Sequence, residues 1–132
     1  DLADRFPLFA TLQLDDAFCI QYNTAQDDTT CAKHMDPSDV TVNMCLEKTA
    51  DTTGSHVLFY GTQSPMIPSS NNKGTTMCST PETEFQFLVE QKEAYATIHW
   101  GKHSHMTTPL KSGRRTNIIL TYCFADKSDA LN

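Results

Sequence analysis

Residues Glu84–Gly101 read EFQFLVEQKEAYATIHWG. The pattern is that of two alternating strands joined by a short polar turn. Side chains alternate sides with period two, so Phe85, Phe87 and Val89 share one face of the first strand. In the second, Ala94, Ala96, Ile98 and Trp100 share a face against Tyr95, Thr97 and His99. The apolar faces coincide only across a loop of even length, Gln91-Lys92 or Glu90 to Glu93, because a one-residue slip reverses every side chain. The expected inner wall is Phe85, Phe87, Val89, Ala94, Ala96, Ile98 and Trp100. Such a wall needs a cover.

Working outward, the chain supplies more strands. Val40 to Lys48 alternates Val40, Val42, Met44 and Leu46, expected inward, against Thr41, Asn43, Cys45 and Glu47. His56 to Thr62 is apolar on both faces, and Thr116 to Ala125 is the last strand. Ala17 to Asn23 is the first, Thr29 to Met35 is a weaker one, and Asp36-Pro37-Ser38-Asp39 is a strong turn signal. Leu2, Phe6, Phe9 and Leu12 fall at near-helical spacing, which predicts a short N-terminal helix. Ser64 to Gly74 is a loop, Thr75 to Thr80 a short edge strand, and Lys102 to Arg115 a basic loop with Pro109 and Gly113. About eight short strands between turn signals predict an all-β, up-and-down antiparallel barrel, whose closure leaves no exposed edges.

The 132 residues form one expected domain, 1–132. A net charge of -6 leaves no basic stripe for nucleic acid. No apolar run approaches the roughly 18 residues of a membrane helix, so neither nucleic acid nor membrane is an expected partner. Five cysteines without a CxxC pattern favour an oxidising, secreted, extracellular setting. Cys31 and Cys45 lie equally far from Ser38, and Cys19 and Cys123 sit on first and last strands that closure makes neighbours. The expected disulfides are Cys31–Cys45 and Cys19–Cys123, with Cys78 left over.

The order of motifs resembles the divergent salivary lipocalins of blood-feeding arthropods, the tick histamine-binding type. DDAFCIQYNTAQDDTTCAKH looks like that family's first strand and following Cys, here Cys31. VTVNMCLEK with SHVLFYGTQ is similar to its middle strands, EFQFLVEQKEAYATIHWG to its late hairpin, and TNIILTYCFAD to its last strand. Leu120-Thr121-Tyr122 stands where that family often has an acidic residue beside Trp, and Ala94 to Gly101 has no Cys. The resemblance implies a lipocalin or calycin-like barrel that scavenges a host mediator.

Phe18, Tyr22, Met44, Phe59, Phe87, Trp100 and Tyr122 are the expected ligand-binding set, with Tyr and Trp bringing polar atoms that need partners. The same residues would equally make a plain core. For an amine ligand Asp15 and Asp16 are the candidate carboxylates, since Glu47, Glu84 and Glu90 fall on polar faces. For an anionic lipid the candidates are Lys102, His103, Lys111, Arg114 and Arg115, which otherwise form a solvated loop. His99, His103 and His105 form a cluster without a supporting Cys or acid, so no metal is expected, nor any cofactor. No phosphate loop, nucleophile elbow or HExxH occurs, so no enzyme is expected.

The expected function is that of a secreted, monomeric binding protein sequestering a small hydrophobic or amphipathic ligand: a biogenic amine, leukotriene or fatty acid. The alternative is a filled barrel acting through its loops on a host protein such as a complement component, protease or chemokine.

Overall fold

The computed structural model describes residues 11–61 and 85–125. Ten strands follow one another: β1 Leu12–Asn23, β2 Cys31–His34, β3 Val40–Lys48, β4 Thr53–Gly54, β5 Val57–Tyr60, β6 Gln86–Val89, β7 Ala96–Trp100, β8 His105–Thr107, β9 Leu110–Ser112 and β10 Arg114–Phe124. Eight of them build two four-stranded sheets, in the orders β1-β10-β3-β7 and β2-β8-β5-β6, while β4 and β9 pair as a small ribbon. Every pairing is antiparallel. Successive long strands mostly alternate between the sheets, and the first and last lie side by side. This is the strand order of a jelly roll, the double-sheet solution to the edge problem.

The all-β expectation holds, but the up-and-down barrel does not. Among the described residues no sheet closes on itself, and β5–β6 is the only hydrogen-bonded pair of consecutive strands. The central hairpin is absent for the same reason. β6 pairs with β5 in one sheet and β7 with β3 in the other. The link between them crosses the sandwich, anchored by Gln91, which is buried and accepts from Asn117 Nδ2 at 2.7 Å. At its end Ala94 N donates to Cys45 O at 2.9 Å and seats β7 on β3.

The helix expected up to Leu12 lies mostly outside the described residues. Within them, Leu12 and Leu14 belong to β1, which runs five residues further back than the sequence pattern indicated. The Thr75 to Thr80 strand and the Ser64 to Gly74 loop also lie outside. Lys102 to Arg115 is less of a loop than expected, because it contains β8 and β9.

The alternation of β3 was read correctly and its direction was not. Thr41 and Asn43 line the space between the sheets, with His99 of β7 and Ile119 of β10. Their neighbours Val42, Met44 and Ile98 therefore lie on the outer face, in cross-strand rows such as Ala17, Leu120, Val42, Ile98. Trp100 is 40% exposed there. The inner wall expected from Ala96, Ile98 and Trp100 is thus an outer one. Only Phe87 and Val89, opposite Phe59 and Val57, keep the assigned direction.

The interior is correspondingly mixed. Phe59 is its largest fully buried side chain, 2% exposed and stacked on Phe87 at 5.2 Å between centroids. Val57, Ile119 and Leu110 are buried too, but so are Asn117, Thr121 and Arg115. The four described cysteines are free, so neither expected disulfide forms. Cys19 stands opposite Ile118 whereas Cys123 stands opposite Gln13. At about 3.3 Å per residue that offset puts them roughly 17 Å apart along neighbouring strands, far beyond disulfide reach. Cys31 and Cys45 fall on strands of different sheets, because the Asp36–Asp39 turn passes between sheets and closes no hairpin. Cys78 lies outside the described residues.

Phe59→Ala should cost about 3–5 kcal/mol, the usual range for emptying a buried aromatic site, in urea unfolding followed by circular dichroism. Ile98→Ala on the exposed outer face should cost well under half of that.

Candidate functional site

One end of the sandwich is built around Asp36, in the link from β2 to β3. Pro37 restricts the residue before it to extended backbone. Asp36 N donates to Gly101 O at 2.9 Å, and Gly101 N donates to Asp39 O at 2.8 Å. A Cβ on Gly101 would stand 1.8 Å from Ser38 O, so only glycine lets the end of β7 meet this link. The carboxylate is oriented from the other side. Thr41 Oγ1 donates to Asp36 Oδ2 at 2.5 Å and lies 3.1 Å from Ser38 Oγ. Only 15% of the Asp36 side chain is exposed.

Three imidazoles converge on this carboxylate from three strands. His34 Nε2 of β2 is 3.4 Å from Oδ1, His105 Nε2 of β8 is 3.8 Å from Oδ1, and His99 Nε2 of β7 is 3.9 Å from Oδ2. In each ring the other nitrogen faces a backbone carbonyl: His34 Nδ1 with Ala32 O at 2.7 Å, His99 Nδ1 with Trp100 O at 3.0 Å, His105 Nδ1 with His103 O at 2.9 Å. A carbonyl can only accept, so Nδ1 carries the proton and a neutral ring presents its Nε2 lone pair to the carboxylate. Burial holds the His99 and His105 imidazoles below their ordinary value, which keeps them neutral. Lone pairs facing carboxylate oxygens repel unless a cation lies between them.

The donor atoms of His34, Asp36 and His105 all lie within 4.8 Å of one another. Metal–nitrogen and metal–oxygen bonds of about 2.0–2.2 Å put neighbouring ligands roughly 3 Å apart, so the three groups must draw closer to share one ion. Two histidines and one carboxylate, each with an outer hydrogen-bond partner that fixes its orientation, form the facial set used by non-haem iron centres. Phe59 backs the cluster, with its ring centroid 5.1 Å from that of His99 and 5.5 Å from that of His105.

A cavity of about 80 Å³ opens from this cluster between the sheets, lined by Phe18, Ile20, Tyr22, Val57 and Ile119 together with Cys31, Asn43 and Thr107. Of the expected ligand set, Phe18 and Tyr22 line it and Phe59 and Phe87 pack beside it. Met44, Trp100 and Tyr122 do not reach it, since they occupy the outer face of the β1-β10-β3-β7 sheet. The volume suits an ion and a small group; it falls well short of the ~300 Å³ at which ordinary ligand pockets begin.

The other candidates scatter. Asp15 and Asp16 are exposed at a bulge of β1. Glu47 pairs with Arg114, and Glu90 with Lys48 at 3.1 Å, in keeping with their polar-face reading; Glu84 lies outside the described residues. Arg115 is no mouth residue: it is 3% exposed, donates from Nε to Ser55 Oγ at 2.9 Å and lies over the Tyr22 ring. Lys102 and Lys111 are exposed. His103 is not solvated either, and packs on Phe59 at 4.9 Å.

The histidine cluster was seen in the sequence without its acid. His34 stands in a weak strand pattern, and Asp36 opens a strong turn signal. The signal that could have found them is His34-x-Asp36 at a strand end with a distant His in another strand, a pattern in which both side chains can reach one point.

No family model and no curated protein matches the chain. Among solved structures it is similar to the non-haem monooxygenase ThoJ in complex with nickel, with a TM-score of 0.53 and 14% identity, over 92% of this chain and 53% of that one. The chain therefore spans about half the length of that protein. At this identity the likeness establishes a shared fold. It also corrects the expectation that the chain is not an enzyme, because this fold carries a non-haem monooxygenase. Missing hydrolase and kinase motifs exclude nothing of that kind.

His99 and His105 have lowered values in the folded chain, so below the ordinary 6.5 the unfolded chain takes up protons first. Their contribution to stability is complete above pH 6.5 and is lost as pH falls through the lowered values. The urea midpoint of metal-free protein should drop between pH 7 and pH 5, and a His99→Gln/His105→Gln variant should show a smaller drop.

Proposed function

We propose that this chain is a metal-dependent enzyme of the non-haem oxygenase type, with His34, Asp36 and His105 as ligands of one divalent ion of the iron–nickel series. The observation that carries this reading is the convergence of the His34 and His105 Nε2 atoms on the Asp36 carboxylate, at 3.4 and 3.8 Å, with each Nδ1 turned to a backbone carbonyl. The shared fold with a nickel-bound non-haem monooxygenase supports it. An ion held on one face by three protein groups keeps positions open for dioxygen and a substrate. The protein's part is to orient the ligands, exclude bulk water with Phe59 and Val57, and present the substrate along Phe18 and Tyr22. The small amphipathic ligand expected from the sequence becomes, in this reading, the substrate.

Isothermal titration of metal-stripped protein with Fe²⁺ (without oxygen), Co²⁺ and Ni²⁺ should give one ion per chain. His34→Ala, Asp36→Ala and His105→Ala should each weaken binding by more than the 10–100-fold that loss of an outer partner costs. Wild-type protein that takes up no ion, or triad variants that bind as wild type, would overturn the assignment and favour plain sequestration in the same cavity.

A further inference from the structure

We propose that His99 is a fourth protein ligand, making the centre a three-histidine, one-carboxylate site that joins the two sheets. The proposal rests on the metal site proposed above and extends it. His34 and His105 belong to the β2-β8-β5-β6 sheet, while His99 projects from β7 of the other. Its side chain is 5% exposed, and its Nε2 stands 3.9 Å from Asp36 Oδ2, a separation within 0.1 Å of the His105 Nε2–Oδ1 distance of 3.8 Å. Its ring lies edge-on to that of His105, with centroids 4.6 Å apart.

Two features set its direction. Nδ1–H is committed to Trp100 O, which leaves Nε2 as the coordinating atom, as in the other two rings. Across the strand pair, His99 is in register with Thr41, the residue that donates to Asp36 Oδ2. The carboxylate thus presents one oxygen to the pair from one sheet and the other oxygen to the ring from the opposite sheet.

The consequence concerns what else can bind. Four protein ligands leave two positions on a six-coordinate ion, where a facial triad leaves three. One chelating small molecule fills both; a chelate and dioxygen cannot be held together while His99 is bound.

The test uses the Co²⁺-loaded full chain and proton NMR. A histidine bound through Nε2 keeps its Nδ1 proton, which the paramagnetic ion shifts far downfield and which disappears in D₂O. Three such exchangeable signals are expected in the wild type and two in His99→Gln, with Co²⁺ affinity reduced tenfold or more. Two signals in the wild type that persist in His99→Gln would overturn the proposal and leave the triad standing. No shifted signal in the presence of excess Co²⁺ would overturn both. Should His99→Gln fail to fold, the wild-type count decides alone.

Discussion

The arrangement of this molecule depends on one constraint: a largely buried carboxylate, Asp36, with the Nε2 atoms of three imidazoles brought to it from three strands. The surrounding contacts work to hold that geometry. Gly101 lets β7 approach the Asp36–Asp39 link, Thr41 fixes one carboxylate oxygen, and three backbone carbonyls set the tautomers. Phe59 supplies a flat apolar wall against which His99, His103 and His105 pack. An ion at the proposed site would couple metal binding to folding.

The same constraint explains the inverted sheet. A strand whose inner residues must serve a polar site cannot also carry its apolar residues inward, because the two sets occupy opposite faces. On β3 the inner row is Thr41, Asn43 and Cys45, and on β10 it is Arg115, Asn117, Ile119 and Thr121. Asn117 Nδ2 donates to Asn43 Oδ1 and to Gln91 Oε1, so much of the polarity satisfies itself. The apolar rows face outward, and Leu14, Ile98 and Trp100 are exposed there.

Strand existence was the legible level. β3 was bounded to the residue, β10 to within two, and the adjacency of the first and last strands was anticipated. Pairing was not legible, since period-two alternation says nothing about which strand lies alongside; β6 and β7 made a convincing hairpin and joined different sheets. Of the three histidines that meet Asp36, two, His99 and His105, stand out in the sequence as a cluster with His103, while His34 and the acid itself are hidden in a weak strand and a turn. Asp36-Pro37-Ser38-Asp39 does turn the chain, and nothing local distinguishes a turn aspartate from one held against three imidazoles.

By itself the sequence determined that this chain is β-rich, which residues alternate along each strand, where the polar turns fall, and that the chain is acidic. Those properties depend on neighbours in the chain and on net charge. The tertiary structure decided the jelly-roll order, which face of each strand turns inward, the separation of the cysteines, and the meeting of His34, Asp36, His99 and His105. These depend on contacts between residues far apart in sequence, where a crossing link such as that through Gln91 and one close backbone approach at Gly101 select among many pairings of the same strands.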